Sequence, residues 1–162
     1  MAATTDAATA AAGRELVITR VFDAPRRLVF KAWTEPEHLV RWWGPRGFTT
    51  ISGRMDVRPG GTWFRAMRAP DGSEHRKCGV YREIVEPERL VFTYLSEDAG
   101  GNSAPETLVT VTFADLDGKT RLTLHQAPFQ SVAARDLHRG GWTGCLERFI
   151  EHLADAWVNA AA

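Results

Sequence analysis

The stretch that decides the fold is WTGCLERFIEHLADAW, residues 142–157. Trp142, Cys145, Leu146, Phe149, Ile150, Leu153 and Trp157 recur at the 3.6-residue period and fall within one stripe, with Glu147, Glu151 and Asp155 opposite. A helix that is apolar on one side must bury that side against another surface. The preceding chain supplies one. From Phe48 to Gln126 short apolar runs alternate with turn residues: Arg58-Pro59-Gly60-Gly61, Pro70-Asp71-Gly72, Glu86-Pro87-Glu88 and Asp117-Gly118. Gly100-Gly101-Asn102-Ser103 reads as a longer, mobile link.

Two of these turns assign faces to the strands. If Asp117-Gly118 forms a two-residue type I′ turn, Leu116 pairs with Lys119, Phe113 opposes Leu122 and Val111 opposes Leu124. Val109, Val111, Phe113, Leu122 and Leu124 then share the inner face, and Thr110, Thr112, Thr123 and His125 the outer one. If Pro87-Glu88 is likewise a two-residue turn, Glu83 opposes Phe92 and Tyr81 opposes Tyr94. With Leu90 these rings form an aromatic face, the better candidate for the concave side of the sheet. Asp71-Gly72 leaves two registers open. A two-residue loop sets Arg65 across from Cys78, and a three-residue loop with a bulge sets it across from Gly79, the second placing it on the Tyr81 face.

Ahead of these strands, Leu16 to Phe22 reads as a strand rich in Val, Ile and Phe. Asp23-Ala24-Pro25 then opens a helix, with Asp23 as cap and Pro25 in the first turn, where its missing N–H costs little. Leu28, Val29, Ala32 and Trp33 fall on one face of it. Thr34 and Glu37 have capping-box spacing for a second short helix, which carries Leu39, Val40, Trp42 and Trp43 and stops at Gly44-Pro45. The order is strand, two short helices, about six strands, long helix. Without βαβ alternation, this points to an α+β arrangement and away from a doubly wound parallel sheet.

Composition narrows the function classes. The 162 residues fit one domain, expected over residues 14–162 behind a disordered Ala/Thr-rich tail over 1–13. Twenty basic and twenty acidic side chains cancel, so no bulk charge directs the chain to nucleic acid or an anionic membrane. No apolar run approaches the length of a membrane span, and the N-terminus lacks the basic start and apolar core of a signal peptide. Cys78 and Cys145 have no disulfide-framework spacing, which suits buried thiols in the reducing cytoplasm. His38, His75, His125, His138 and His152 show no metal-ligand spacing, and no motif calls for a cofactor or a phosphate cradle. Six tryptophans and eight phenylalanines are the unusual feature, since such rings fill a thick core or line a pocket.

Several motifs recur in a familiar order: Arg20-Val21-Phe22-Asp23-Ala24-Pro25, Trp42-Trp43-Gly44-Pro45, and Asp56-Val57-Arg58-Pro59-Gly60-Gly61. Gly79-Val80-Tyr81-Arg82-Glu83-Ile84 and Glu88-Arg89-Leu90-Val91-Phe92-Thr93 follow, and then His138, Gly141 and Trp142 lead into the final helix. Over roughly residues 15–158 the chain resembles the START-like (SRPBCC) superfamily. Within it, the motifs are similar to the branch related to the C-terminal domain of an activator of heat-shock-protein ATPase. The resemblance implies a helix-grip fold, with a curved antiparallel sheet of six to seven strands wrapped around the C-terminal helix and a cavity between them. It carries no catalytic residue onto this sequence.

The expected cavity draws Trp33, Trp42, Trp43, Trp142 and Phe149 from the helices, and Trp63, Arg65, Tyr81, Glu83, Phe92 and Tyr94 from the sheet. Trp42-Trp43 form either a lid or, for one of the two rings, core packing. Arg65 shares a face with Trp63 and Met67 and is either the anchor of a ligand carboxylate or phosphate, or a structural arginine paired with Glu83. Tyr81, Glu83 and Tyr94 are either an acid/base set or space-filling rings beside a paired glutamate. At Gly140-Gly141 the downstream stripe, extended backward, brings Arg135, His138 and Arg139 inward and turns Leu137 out, whereas Phe129, Val132 and Leu137 prefer nearly the opposite phase. Either the helix breaks at the glycines and rotates Leu137 into the core, or it is continuous with His138 and Arg139 at the cavity mouth and the glycines making room for ligand or strand backbone; the resemblance favours continuity. A frayed helix start is the bland alternative.

Three functions fit. The first is binding of an apolar or amphipathic small molecule in the cavity. The second is a cyclase- or hydrolase-like enzyme drawing its acid and base from Glu83, Tyr81 or His138. The third is a chaperone-associated interaction protein, marked by a large exposed patch or by a cavity filled with its own tryptophans. A homodimer is compatible with each.

Overall fold

The computed structural model describes residues 13–97 and 103–161, with side chains as far as residue 156. The tail expected over 1–13 (save Gly13), most of the link at 100–103 and the side chain of Trp157 lie outside the described residues. Strands β1 (Leu16–Phe22), β2 (Thr49–Met55), β3 (Thr62–Arg68), β4 (Glu74–Val85), β5 (Arg89–Glu97), β6 (Thr107–Leu116) and β7 (Lys119–Ala127) form one antiparallel sheet in the order β1-β7-β6-β5-β4-β3-β2. Helices α1 (Arg26–Thr34) and α2 (Pro36–Trp42) follow β1, and α3 (Val132–Ala161) closes the chain. This is the α+β helix-grip arrangement.

The β6–β7 hairpin supplies five fully buried side chains to the core. Asp117 and Gly118 both have positive φ, as a type I′ turn requires, and Leu116 pairs with Lys119. Phe113 opposes Leu122 and Val111 opposes Leu124, and together with Val109 these side chains are fully buried. Thr110, Thr112, Thr123 and His125 take the other, half-exposed face. Both short helices form, but their caps differ from expectation. Pro25, not Asp23, holds the N-cap position of α1, and its carbonyl accepts from the N–H groups of Leu28 and Val29. Glu35 is the N-cap of α2, while Thr34 Oγ1 donates backward to the Phe30 carbonyl. Neither helix has a side-chain cap, so their stability comes from the buried Val29, Phe30, Trp33, Leu39 and Trp42.

Two hairpins differ in register from the sequence reading. Val85 pairs with Arg89, so three residues form that turn, and a β-bulge at Arg82 follows. The bulge resets the alternation. Tyr81 faces inward opposite Phe92, while Glu83 lies outside opposite Val91 and within 3.3 Å of Arg89. At the other hairpin the loop runs from Ala69 to Ser73, braced by Asp71 Oδ1, which accepts from the Ser73 N–H and hydroxyl. Its extra length sets Arg65 opposite Lys77, in place of Cys78 or Gly79, though still on the Tyr81 face.

Helix α3 runs unbroken through Gly140 and Gly141. Trp142, Cys145, Leu146, Phe149 and Leu153 are buried, Leu137 points to solvent, and Ile150, on the edge of the stripe, is half-exposed. A Cβ at Gly141 would meet only Pro45, at 3.9 Å, and one at Gly140 would meet nothing. The glycines therefore do not relieve a clash. Between α2 and α3, His38 Nδ1 and His152 Nε2 are 2.8 Å apart. One nitrogen donates and the other accepts, so protonating both rings abolishes the contact. Burial, reinforced by His38 and Arg41, holds His152 below the usual histidine range.

Three outcomes follow from this packing. Leu124→Ala is expected to cost about 2–5 kcal/mol and Thr123→Ala less than about 1 kcal/mol, read from denaturant midpoints; the reverse ranking would invert the sheet's faces. Gly141→Ala should leave stability unchanged or raise it by up to about 1 kcal/mol. The unfolded chain takes up a proton at His152 before the folded one does. Stability is thus full above about pH 6.5 and declines as pH falls through that value, and His152→Gln should flatten the decline in chemical denaturation between about pH 7.5 and 5.

Candidate functional site

The concave face is set by strand alternation. Trp63, Arg65 and Met67 face inward from β3, His75, Lys77 and Tyr81 from β4, and Leu90, Phe92, Tyr94 and Ser96 from β5. Glycine 79 lies on the same face for a steric reason. A Cβ there would come within 1.8 Å of the Thr93 carbonyl oxygen and 2.6 Å of Trp63 Nε1, so only glycine lets the indole lie over the strand and donate to that carbonyl at 3.2 Å.

Tryptophans divide the space between sheet and helices. Trp33 and Trp42 are 4.8 Å apart at their ring centroids, and Trp42 packs against Phe149 at 4.5 Å. Trp43 bridges from this cluster to Trp142 at 5.2 Å and to Trp63 at 5.9 Å. Behind Trp43 lies a space of about 20 Å³, room for one water, bordered by Trp63, Arg65, Tyr81 and Phe92. In front of it lies a cavity of about 600 Å³ that reaches the surface beside the exposed Asp136 and Leu137. Its walls are mostly apolar: Trp43, Pro45, Phe48, Met67, Trp142 and Cys145.

A buried polar chain holds the helix side of this cavity in place. Trp142 Nε1 donates to Gln126 Oε1 at 2.7 Å, Gln126 Nε2 donates to Thr107 Oγ1 at 2.8 Å, and Thr107 Oγ1 donates to the Tyr94 carbonyl at 3.2 Å. On the other side, the Gly44 N–H donates to Cys145 Sγ at 3.2 Å, and Arg148 donates to the carbonyls of Trp43 and Gly44. These bonds tie the α2 terminus to α3 and fix Trp43 as the partition.

Against the apolar walls of the cavity stand the polar side chains of His75, Lys77, Ser96, Glu97, Asp136 and His138. Lys77 Nζ donates to Ser96 Oγ and lies 6.0 Å from the Tyr94 ring centroid. His138 Nδ1 donates to the Ala134 carbonyl at 2.9 Å, and its ring packs against Phe129 and Tyr94. Desolvation lowers the pKa of Lys77; it also lowers that of His138, with Lys77 adding to the effect. Burial raises Tyr94 far above the ordinary phenol range and pushes the Cys145 thiol up to about 12, so this cysteine stays a neutral wall residue. Behind the partition, desolvation weighs against the charge on Arg65, and burial raises Tyr81 to about 12. Arg65 Nε has no hydrogen-bond partner. The guanidinium lies over Gly53, where a Cβ would come within 2.3 Å of it.

The residues singled out in the sequence thus separate. Trp43, Tyr94, His138 and Trp142 line the large cavity. Trp33, Trp63, Arg65, Tyr81 and Phe92 border the water-sized space, and Trp42 and Phe149 are packed core. Glu83 lies outside the grip altogether, so Tyr81, Glu83 and Tyr94 do not converge, and Arg65 is not paired with Glu83. Arg139 reaches the Val17 carbonyl and does not line the cavity. Lys77, Ser96 and Met67 were missed as cavity residues. Lys77 was legible, because it stands four residues before Tyr81 and alternation gives the two one face. Among the described residues no three His, Cys, Asp or Glu side chains converge as a metal site. No helix there is long and apolar enough to cross a membrane.

The geometry has counterparts. Protein NE0264 from Nitrosomonas europaea superposes with a TM-score of 0.76 at 25% identity, over 91% of this chain and 98% of that one. Protein CV1439 from Chromobacterium violaceum does so with a TM-score of 0.75 at 27% identity, over 85% and 95%. The AHSA1 protein SPO3351 from Silicibacter pomeroyi shares the fold with a TM-score of 0.77 at 24% identity, over 86% and 97%. No curated protein matches the chain. The family model described as Activator of Hsp90 ATPase homolog 1-like protein matches residues 23–154. This protein, a START-like helix-grip chain, belongs to that family.

Proposed function

We propose that the protein binds an apolar or amphipathic small molecule in the cavity between the sheet and α3. The observation that carries this reading is the cavity itself, about 600 Å³ with mostly apolar walls and an opening at Asp136 and Leu137. That volume is in the usual range for small-molecule sites, roughly 300–1,000 Å³, and a few polar groups converging on apolar walls is their usual chemistry. The tryptophans could have filled the grip and left only an interaction surface. They fill its rear half and leave the front open. The acid/base alternative is weakened by the position of Glu83, whose carboxylate faces solvent beside Arg89. The two free thiols fit a cytoplasmic site of action.

Titration with the neutral fluorophore N-phenyl-1-naphthylamine should give saturable one-to-one binding. Tryptophan emission should change in parallel, because Trp43 and Trp142 form the wall. Dodecanol should displace the fluorophore. Absence of saturable binding would overturn this reading.

A further inference from the structure

The concave face carries more positive charge than the sheet needs. Arg65 and Lys77 are direct cross-strand neighbours, and both point inward. Like charges placed opposite one another destabilise a strand pair, and burial increases the cost. Buried cations normally sit in ion pairs. Yet among the described residues neither the buried Arg65 nor the partly buried Lys77 is in an ion pair with a carboxylate. Two acidic residues do border the cavity. Asp136 is half-exposed and bound by Arg135 at 2.9 Å, and Glu97 stands at the end of β5.

The two cations differ in what they can reach. Arg65 is behind the Trp43 partition, where the free space admits one water, so no ligand head enters without displacing the indole. Lys77 is in front. Its ammonium has three donors, and Ser96 takes one of them. The remaining donors are next to the large cavity, with Tyr94 and His138 beside them. His138 commits Nδ1 to the Ala134 carbonyl, which leaves Nε2 as a lone-pair acceptor in the neutral ring and as a donor once protonated. A single accessible ammonium matches a single negative charge, and the apolar walls match a tail.

We infer that the ligand is an amphipathic monocarboxylate whose head is held by Lys77 and Ser96, with its apolar part against Trp43, Met67 and Trp142. This rests on the reading of the cavity as a ligand site. The carboxylate supplies the counter-charge that the protein withholds, and Ser96 orients the ammonium toward it. A charge-assisted hydrogen bond in this apolar setting discriminates strongly between a carboxylate and a hydroxyl of equal chain length.

The test compares dodecanoate, dodecanol, dodecyl phosphate and dodecyltrimethylammonium, below their micellar concentrations, by displacement of N-phenyl-1-naphthylamine. Dodecanoate should bind about ten-fold or more tightly than dodecanol, and the cationic amphiphile most weakly. Dodecyl phosphate, with more charge than one ammonium offsets, should bind more weakly than dodecanoate. Lys77→Met should bring the ratio of dodecanoate to dodecanol affinity close to one, and Lys77→Arg should keep much of the preference. Equal affinity for dodecanoate and dodecanol in the unmodified protein overturns the inference and leaves the cavity reading standing. A phosphate preference overturns the carboxylate assignment, and an unchanged preference in Lys77→Met overturns the role of Lys77. Failure of all four to bind overturns the cavity reading and this inference with it.

Discussion

The hydrogen bond from the Trp142 indole to the buried amide oxygen of Gln126 is the constraint on which the grip depends. Gln126 is fully buried in β7, and its amide is satisfied at both ends, by Trp142 and by Thr107. A buried amide left half-satisfied would cost about 1–3 kcal/mol, so the chain of bonds is complete in one helix register only. That register decides the phase of all of α3. Cys145 and Phe149 then face the sheet, while Leu137 and Ile150 face outward. It also places the Trp142 ring where Trp43 can meet it nearly edge-on, which is how the space beneath the helix comes to be divided.

The division explains how one protein can have both a close-packed core and a large cavity. Around Trp33, Trp42 and Phe149 the rings interlock, with centroids 4.5–6.2 Å apart. Toward the start of α3, Gly140 and Gly141 border the cavity and bring no side chain into it, and Pro45 stands across from them. Filling the gap would have needed only larger residues on a helix that tolerates them. A Cβ at 140 meets nothing, and one at 141 makes an ordinary contact. The open volume therefore reflects the absence of side chains, not a limit imposed by the backbone.

Legibility followed the locality of the physics. The Asp117-Gly118 turn specifies its own register, so the five inward residues of β6 and β7 follow from the turn chemistry and strand alternation alone. The phase of α3 was readable from its apolar stripe only downstream of Gly141; upstream, Phe129, Val132 and Leu137 competed with that phase, and the unbroken helix turns Leu137 outward. The β4–β5 pair was not, because a bulge at Arg82 inserts one residue and moves Glu83 to the outside. Its signal was present as two successive polar residues, Arg82 and Glu83, between the inward Tyr81 and Ile84. The Asp71 loop hid its length, since Asp-Gly signals a turn of several sizes and the deciding bonds involve Ser73. Each error displaced a candidate: Glu83 left the site, and Arg65 acquired Lys77 as its neighbour.

The position of Arg65 has a further consequence for how charge is distributed in the grip. It is the most buried charged side chain among the described residues, and its Nε makes no hydrogen bond. Removing an arginine from water without a partner is costly, and desolvation already weighs against its charge. The Tyr81 phenol beside it is held protonated, so it supplies a dipole and no counter-ion. Arg65 thus places a fixed positive charge behind Trp43, directly across the strand pair from Lys77. Arg65 lies behind the indole and outside the large cavity, while Lys77 lines that cavity and adds to the lowering of the His138 pKa.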